Sequence, residues 1–151
     1  MAMKGNLSTR LFKDFYADEW DELLCVFDGT INYTSWFINY IEVLNAGSGI
    51  KNVTFGLFKD SVVIAIVPLY VEKVGGKWQM SMGQEPIYAP IFNKSVANTE
   101  FNKYYDYLLS EVDKVAKKYN CKLARFQYSA LLNNDLSCNY FENFGYSDDI
   151  N

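Results

Sequence analysis

The segment from Gly83 to Phe92, with the sequence Gly-Gln-Glu-Pro-Ile-Tyr-Ala-Pro-Ile-Phe, holds the residues best suited to chemistry in this sequence. Glu85 is its only acid and is the candidate general base, because a positioned carboxylate can accept a proton from a reacting group. Gln84 and Tyr88 are candidate substrate-binding residues, and Tyr88 would line a cleft at a sheet edge. The simpler alternatives are a solvated loop carboxylate for Glu85 and a ring packed under the loop for Tyr88.

A second group of candidate residues lies near the end of a predicted strand. Arg125 and Gln127 alternate with Phe126, so their side chains share one face of that strand. At the carboxyl end of a strand, these two residues and Tyr128 could contact an anionic substrate. The alternative is that they lie under a continuation of the chain or face water at a sheet edge.

The composition excludes several classes of site. The sequence has no histidine, the usual general base and the commonest metal ligand. Its cysteines form no CxxC pair, so neither a zinc site nor a disulfide framework is predicted. A net charge of −4 and a pI of about 4.8 predict no nucleic-acid patch. The N-terminus lacks an apolar signal region and no apolar run reaches spanning length, so we predict a cytoplasmic protein without a membrane span.

Two helices are predicted in succession near the N-terminus. The first has Asp18 as its N-cap and ends at Gly29, and its apolar stripe consists of Trp20, Leu23, Leu24 and Phe27. The second covers residues 35–44, with Ser35 as its cap and Gly47 as its end. Its apolar stripe consists of Trp36, Phe37, Tyr40, Ile41 and Leu44.

From residue 53 onward the apolar period changes from 3.6 to 2, which predicts strands. A strand over 53–59 precedes a long strand over 62–74 that is apolar on both faces and must therefore be covered on both. Pro68 cannot donate to a sheet ladder, so we expect a bulge or a local loss of pairing there. The pair Gly75-Gly76 predicts a tight turn into a returning strand over 77–82.

The last predicted elements are a helix of about 20 residues with Thr99 as its N-cap, a strand over 122–128 and a final helix over about 136–144. A first strand, over 7–12, precedes all the others. The order is (β)-α-α-β-β-β-α-β-α. It predicts a single α+β (α/β three-layer) domain over residues 1–151, with a mixed, mostly antiparallel sheet and helices on both faces.

This order resembles the acyl-CoA N-acyltransferase (GNAT) fold without its last strands. The closer resemblance is to the N-terminal half of FemAB-like proteins, the peptidoglycan-bridge aminoacyltransferases, and to their BioF2-like relatives. It rests on five motifs in the expected order: Trp20-x-x-Leu23, Tyr33-Thr34-Ser35-Trp36-Phe37, Phe55-Gly56-Leu57-Phe58-Lys59-Asp60, Ile64-Ala65-Ile66-Val67-Pro68-Leu69-Tyr70 and Tyr88-Ala89-Pro90-Ile91.

The resemblance implies that this chain is the acceptor-side half of a longer acyl- or aminoacyltransferase and is inactive alone. The acceptor would be a small molecule or a peptidoglycan or glycan precursor of the cell envelope. Trp36 would contact that acceptor, the alternative being an ordinary core aromatic. Acyl-CoA or aminoacyl-tRNA would be the donor of the full-length protein. The family's glycine-rich cradle, Gln/Arg-x-x-Gly-x-Gly/Ala, is absent because Ile87 and Ala89 occupy the glycine positions after Gln84, so no cofactor is expected on this chain.

A second hypothesis is a non-catalytic GNAT-like binding or dimerisation module. A sheet without its last strands leaves an edge exposed, and such an edge pairs readily with another chain. A homodimer through residues 122–128 would cover it. A third hypothesis is a complete acetyltransferase with an unusual cradle.

Overall fold

The computed structural model describes residues 5–28 and 30–127. Gly29, Tyr128 and the predicted final helix lie outside these residues. The helices and strands follow in this order: β1 Leu7–Leu11, α1 Ala17–Leu23, α2 Ser35–Leu44, β2 Lys51–Asn52, β3 Phe55–Lys59, β4 Val62–Val67, β5 Tyr70–Val74, β6 Lys77–Met80, β7 Ile87–Tyr88, β8 Ile91–Phe92, α3 Asn98–Tyr119 and β9 Phe126–Gln127. The predicted succession of a strand, two helices, a block of strands, a long helix and a strand is therefore confirmed over the described part, but the block contains seven strands rather than three.

The first helix begins two residues earlier than predicted. Tyr16 is its N-cap residue, and the Tyr16 backbone N–H donates to the carboxylate of Glu19 over 2.9 Å. Asp18 lies inside the first turn and accepts the N–H of Glu19, so the prediction of Asp18 as the cap was wrong. The acid that satisfies a free N–H of this helix end is at position 19, where the side chain can reach back to the cap.

The second helix has the predicted length and a different cap. Thr34 Oγ1 accepts the Phe37 N–H over 3.3 Å, so Thr34 rather than Ser35 is the N-cap. The Ser35 backbone N–H and hydroxyl donate instead to the carboxylate of Asp21, over 2.7 and 2.6 Å. This contact fixes the rotation of α2 relative to α1. At the other end Asn45, and not Gly47, is the C-cap.

The predicted long strand over 62–74 is divided at Pro68 between two sheets. β4 lies in an antiparallel four-stranded sheet of order β1-β3-β4-β8, whereas β5 lies between β2 and β6 in a second antiparallel sheet. The Leu69 N–H donates to the Thr54 hydroxyl over 3.0 Å rather than to a neighbouring strand. The expected loss of pairing at Pro68 is therefore confirmed.

Gly75 and Gly76 both have positive φ and form the predicted hairpin turn between β5 and β6.

The strand pair nearest the C-terminal end of the described residues is parallel. β9 pairs in parallel with β7, as the return from a helix to a strand predicted. The segment over 83–92, predicted as one connection, contains the two short strands β7 and β8.

Helices cover both faces of the sheets. On one face α1 and α2 bury a cluster that includes Trp20, Tyr33 and Ile38. On the other face α3 buries a larger cluster, to which it contributes Tyr104, Tyr105, Leu108, Leu109 and Val112; Ile41 of α2 also belongs to it. α3 begins after Ala97, so Thr99 lies in its first turn and is not the N-cap. None of the helices in the described residues is long and apolar enough to cross a membrane.

Candidate functional site at the divided sheet

The strand that follows the loop at residue 83 changes its partner at Pro90. Before Pro90, the Ala89 N–H donates to the Gln127 carbonyl over 2.7 Å, as part of the parallel pairing of β7 with β9. After Pro90, β8 pairs with β4 on its other side, and the Asn93 N–H donates to the Ile64 carbonyl over 2.8 Å. Within residues 5–28 and 30–127, no strand pairs with the outer edge of β8.

The outer edge of β8 offers backbone groups to a ligand. In an antiparallel pair, successive residues direct their backbone groups alternately toward and away from the partner strand. Because Asn93 donates toward β4, the N–H and C=O of Phe92 face away from it. An extended ligand that carries amide groups could pair with this edge as an additional strand.

A buried tyrosine holds the position where the strand changes sheets. The Tyr33 hydroxyl donates to the Ala89 carbonyl over 2.7 Å, and the Trp20 indole N–H donates to the Tyr33 carbonyl over 2.9 Å. Burial, with a smaller contribution from Tyr88, raises the pKa of the Tyr33 hydroxyl, so it remains a donor throughout the neutral range. Tyr33 was not among the predicted site residues.

We expect Tyr33→Phe to lower the free energy of unfolding by about 1–2 kcal/mol, because a buried carbonyl loses its hydrogen-bond donor. Urea denaturation monitored by circular dichroism measures this change. Tyr40→Phe is the matched control, since Tyr40 is exposed, and we expect a change below about 0.5 kcal/mol for it. Equal losses in the two variants would contradict a role for Tyr33 in holding the divided strand.

Four of the predicted site residues lie around the loop over 81–86. The Arg125 guanidinium donates to the Gln84 carbonyl over 3.2 Å, and the Gln127 amide donates to the Pro86 carbonyl over 3.0 Å. Glu85, which lies between Gln84 and Pro86 in the sequence, is exposed. These contacts engage Arg125 and Gln127 with the protein itself, while both side chains remain partly exposed. Their roles toward a substrate, and that of Glu85, stay predictions.

A buried carboxylate, which the sequence interpretation missed, shapes the same loop. Glu72 on β5 is 1% exposed. It accepts one hydrogen bond from the Ser81 hydroxyl and one from the Gln84 backbone N–H, the latter over 2.6 Å. Gln84 has a φ of +68°, in the left-handed region, and in this conformation its backbone N–H donates to the Glu72 carboxylate. The sequence did contain a signal for this residue. Glu72 is an acid within an apolar strand, and the two-residue turn that follows places it opposite Gln79 in the hairpin.

The predicted apolar stripe of α2 is only partly buried. Ile41 is buried and Phe37 partly buried, as predicted. Trp36 is 67% exposed, and Tyr40 and Leu44 are exposed as well, whereas Ile38, which lay outside the predicted stripe, is buried. The bonds from Ser35 to Asp21 set this rotation, and they could not be read from helical spacing. Trp36 is therefore not a core aromatic residue.

The exposed aromatic residues of α2 lead to the divided sheet. The Trp36 and Tyr40 rings stack with centroids 5.5 Å apart and an angle of 7° between their planes. Phe37 lies 6.4 Å from the Tyr40 ring and 5.9 Å from the Tyr88 ring. Tyr88 ends β7, directly before the change of sheet. We call these four residues, Trp36, Tyr40, Phe37 and Tyr88, the aromatic path.

The loop that precedes α3 differs from the predicted one. It covers residues 93–97 rather than 83–92, because β7 and β8 occupy the latter segment. It also contains no glycine. The Asn93 side-chain oxygen accepts both the N–H and the hydroxyl of Ser95 over 2.9 Å, and the Asn93 carbonyl accepts the Val96 N–H over 2.9 Å. Two N–H groups that a phosphate would need are thus already used within the loop.

No family model matches the sequence, and no curated protein matches it either. Solved structures of acetyltransferases are similar to it in fold. An acetyltransferase of Trypanosoma brucei aligns with 97% of this chain and 96% of its own at 12% identity and a TM-score of 0.61. The aminoglycoside N-acetyltransferase AAC(6')-Iy, solved with CoA, aligns with 100% of this chain and 94% of its own at 14% identity and a TM-score of 0.63.

A GNAT family acetyltransferase of Staphylococcus aureus aligns with 96% of this chain and 94% of its own, at 16% identity and a TM-score of 0.52. At these identities the similarity concerns the fold. The chain has the α+β fold of the GNAT acetyltransferases, so the predicted fold class is confirmed.

Proposed function

We propose that this chain is the acceptor-binding domain of an N-acyltransferase with the GNAT fold. The observation that carries the proposal is the aromatic path, which runs from the surface of α2 to Tyr88 beside the open edge of β8. In N-acyl transfer, a neutral amine attacks the donor carbonyl, and the intermediate loses a proton and expels the thiol or alcohol of the donor. The protein contributes mainly the relative positions of the two reactants.

The acceptor would lie along the aromatic path with its amine directed toward the divided sheet. Stacked, exposed rings offer a flat apolar surface, which suits the apolar face of a sugar or the aliphatic part of a peptide. This matches the acceptor class that the FemAB resemblance implies, a small molecule or a peptidoglycan or glycan precursor of the cell envelope. Trp36 is the residue on which we expect most of that contact to depend.

Saturation-transfer NMR with a panel of amines tests this proposal. The panel contains amino sugars and short alanyl and lysyl peptides. We expect at least one of them to bind, and Trp36→Ala to weaken that binding about tenfold, as loss of an aromatic hot-spot contact does. Tyr16→Ala is the matched control, because Tyr16 is a similarly exposed aromatic residue outside the path. The affinity of this variant for the same amine should stay within about twofold of the wild-type value. Binding by no amine, or equal losses in both variants, would contradict the proposal.

The donor, in our proposal, is held by a second half of a longer FemAB-like protein and not by this chain. Acyl-CoA and aminoacyl-tRNA are the two donor classes that the resemblance implies. The glycine-free loop over 93–97 supports this division, because Asn93 already engages the Ser95 and Val96 N–H groups. The chain alone should then be inactive.

A thermal-shift titration with acetyl-CoA and longer acyl-CoAs at millimolar concentration tests the donor proposal. We expect the unfolding midpoint to stay within about 1 °C of its unliganded value, because a ligand that doesn't bind cannot stabilise the native state. A dose-dependent rise of several degrees, or N-acylation of an amine by the chain alone, would mean that the loop over 93–97 rearranges to hold the donor. That outcome would leave the acceptor proposal standing.

The second candidate function is a non-catalytic dimerisation module. The observation that favours it is that no strand of the described residues pairs with the outer edge of β8, since unpaired edges associate readily. Sedimentation equilibrium distinguishes the two functions. A wild-type dimer that dissociates into monomers in the Phe92→Pro variant would support this alternative, because proline removes the outward N–H of Phe92. A monomer at the concentrations used for amine binding would exclude it.

A further inference from the structure

We infer that a cluster of lysine and aromatic side chains at the C-terminal end of α3 binds a short acidic segment of a partner protein. The cluster consists of Lys51, Lys73 and Lys118 around the rings of Trp78 and Tyr119, and we call it the lysine patch. Its lysines come from β2, β5 and α3, which are far apart in the sequence. The fold itself therefore gathers these charges, in contrast to lysines that follow one another along one helix face.

The three ammonium groups lie close to two neighbouring rings. The Lys51 Nζ is 5.6 Å from the Trp78 ring centroid and 5.7 Å from that of Tyr119. The Lys73 Nζ is 5.5 Å from the Trp78 centroid, and the Lys118 Nζ is 5.3 Å from the Tyr119 centroid. The two rings are 5.5 Å apart. Contacts of this kind hold flexible lysine side chains near one position and lower the cost of ordering them on binding.

Among the described residues, no carboxylate forms an ion pair with the lysines that define the patch. Within residues 5–28 and 30–127, no carboxylate lies within 4.0 Å of the Lys51, Lys73 or Lys118 ammonium groups. Lys114 and Lys117, on the same helix, are paired with acids of that helix. Two further lysines flank the patch: Lys77 precedes Trp78, and the N–H of Lys122 donates to the Trp78 carbonyl over 3.1 Å.

The charge of the rest of the chain selects the kind of partner. Without these five lysines, the chain has nine Lys and Arg against 18 Asp and Glu, a net charge of −9. An extended polyanion or an anionic bilayer would reach beyond the patch and meet that repulsion. Ammonium groups lie over the rings, so the rings are also poorly placed to stack on bases. A short acidic protein segment carries its charge within the patch alone.

The lysine patch is separate from the proposed acceptor site, and the two share no residue. The Trp78 carbonyl accepts the N–H of Lys122, whereas Tyr88 pairs with Gln127 in β9. The five residues of chain from Lys122 to Gln127 span at most about 18 Å. A partner on the patch would leave the aromatic path and the edge of β8 free, so the two proposals can fail independently.

Isothermal titration at low ionic strength with an N-acetylated hexaglutamate amide tests the inference. The patch variant carries Lys51→Gln, Lys73→Gln and Lys118→Gln. The control variant carries the same charge change at exposed lysines elsewhere: Lys13→Gln, Lys94→Gln and Lys103→Gln. We expect the wild-type protein to bind the peptide, the patch variant to bind it about tenfold more weakly, and the control variant to stay within about twofold. Added salt should weaken the wild-type binding.

Three results would overturn the inference. The first is no hexaglutamate binding to the wild-type protein at low ionic strength. The second is the same loss of affinity in the patch and control variants, which would indicate an effect of net charge alone. The third is tighter binding of oligothymidylate, or of phosphatidylglycerol vesicles, than of the peptide through the same lysines, which would assign the patch to a nucleic acid or a membrane.

Discussion

Replacing Glu72 by alanine should lower the free energy of unfolding by about 3 kcal/mol. The Glu72 carboxylate is buried and accepts hydrogen bonds from the Ser81 hydroxyl and the Gln84 N–H. Its removal leaves both donors without their acceptor, and one of them, the Ser81 hydroxyl, belongs to a fully buried residue. Urea denaturation of the wild-type protein and the variant measures the change, with the slope of the transition compared to confirm that both unfold in one step.

Glu85→Ala is the matched control for this prediction. Glu85 lies in the same loop and carries the same charge, but its side chain is exposed, so we expect a change below about 0.5 kcal/mol. Glu72→Gln should fall between the two, because an amide keeps one acceptor oxygen and loses the stronger bonding of a charged one. Equal losses in Glu72→Ala and Glu85→Ala would show that the loop over 81–86 does not depend on the buried carboxylate.

The elements of this fold could be predicted where local pattern alone decides them. The apolar period of α3, the two-residue turn at Gly75-Gly76 and the missing N–H of Pro68 are properties of a few adjacent residues. The parallel return of β9 follows from the helix that precedes it. The short strands β7 and β8 were missed because each has two residues, too few to establish a period.

The candidate site was less predictable, because contacts between distant residues determine it. The hydrogen bonds from Ser35 to Asp21 set the rotation of α2 and so expose Trp36. Helical spacing alone is compatible with a stripe that buries Trp36 and with one that exposes it. The Tyr33 hydroxyl reaches a carbonyl 56 positions away in the sequence. Of Arg125 and Gln127, only Gln127 lies within β9, and the loop carbonyls that the two side chains contact are 41 positions distant. Spacing predicts which residues share a face, but not what that face meets.

Gly83→Ala should lower the free energy of unfolding by about 2–3 kcal/mol, through two separable causes. Gly83 has a φ of +66°, a conformation that costs a non-glycine residue about 1 kcal/mol or more. An added Cβ would also lie 2.5 Å from the Asn45 side-chain oxygen. The Asn45 amide donates to the Ile41 carbonyl over 2.9 Å, so this side chain cannot move away without losing that bond at the end of α2. Urea denaturation measures the total loss.

Two further variants separate these causes. Gly49→Ala has nearly the same φ, +69°, with no atom within 4 Å of the added Cβ, so it should lose only the conformational part, about 1 kcal/mol. In the Asn45→Ala background the clash is absent, and Gly83→Ala should then cost no more than Gly49→Ala. If the cost is unchanged in that background, the contact between Gly83 and Asn45 does not join the loop over 81–86 to α2. If the cost falls as expected, the helix that carries Trp36 and the loop that carries Glu85 pack together at Gly83, a position that only glycine fits. Larger residues at position 83 should then also weaken amine binding along the aromatic path.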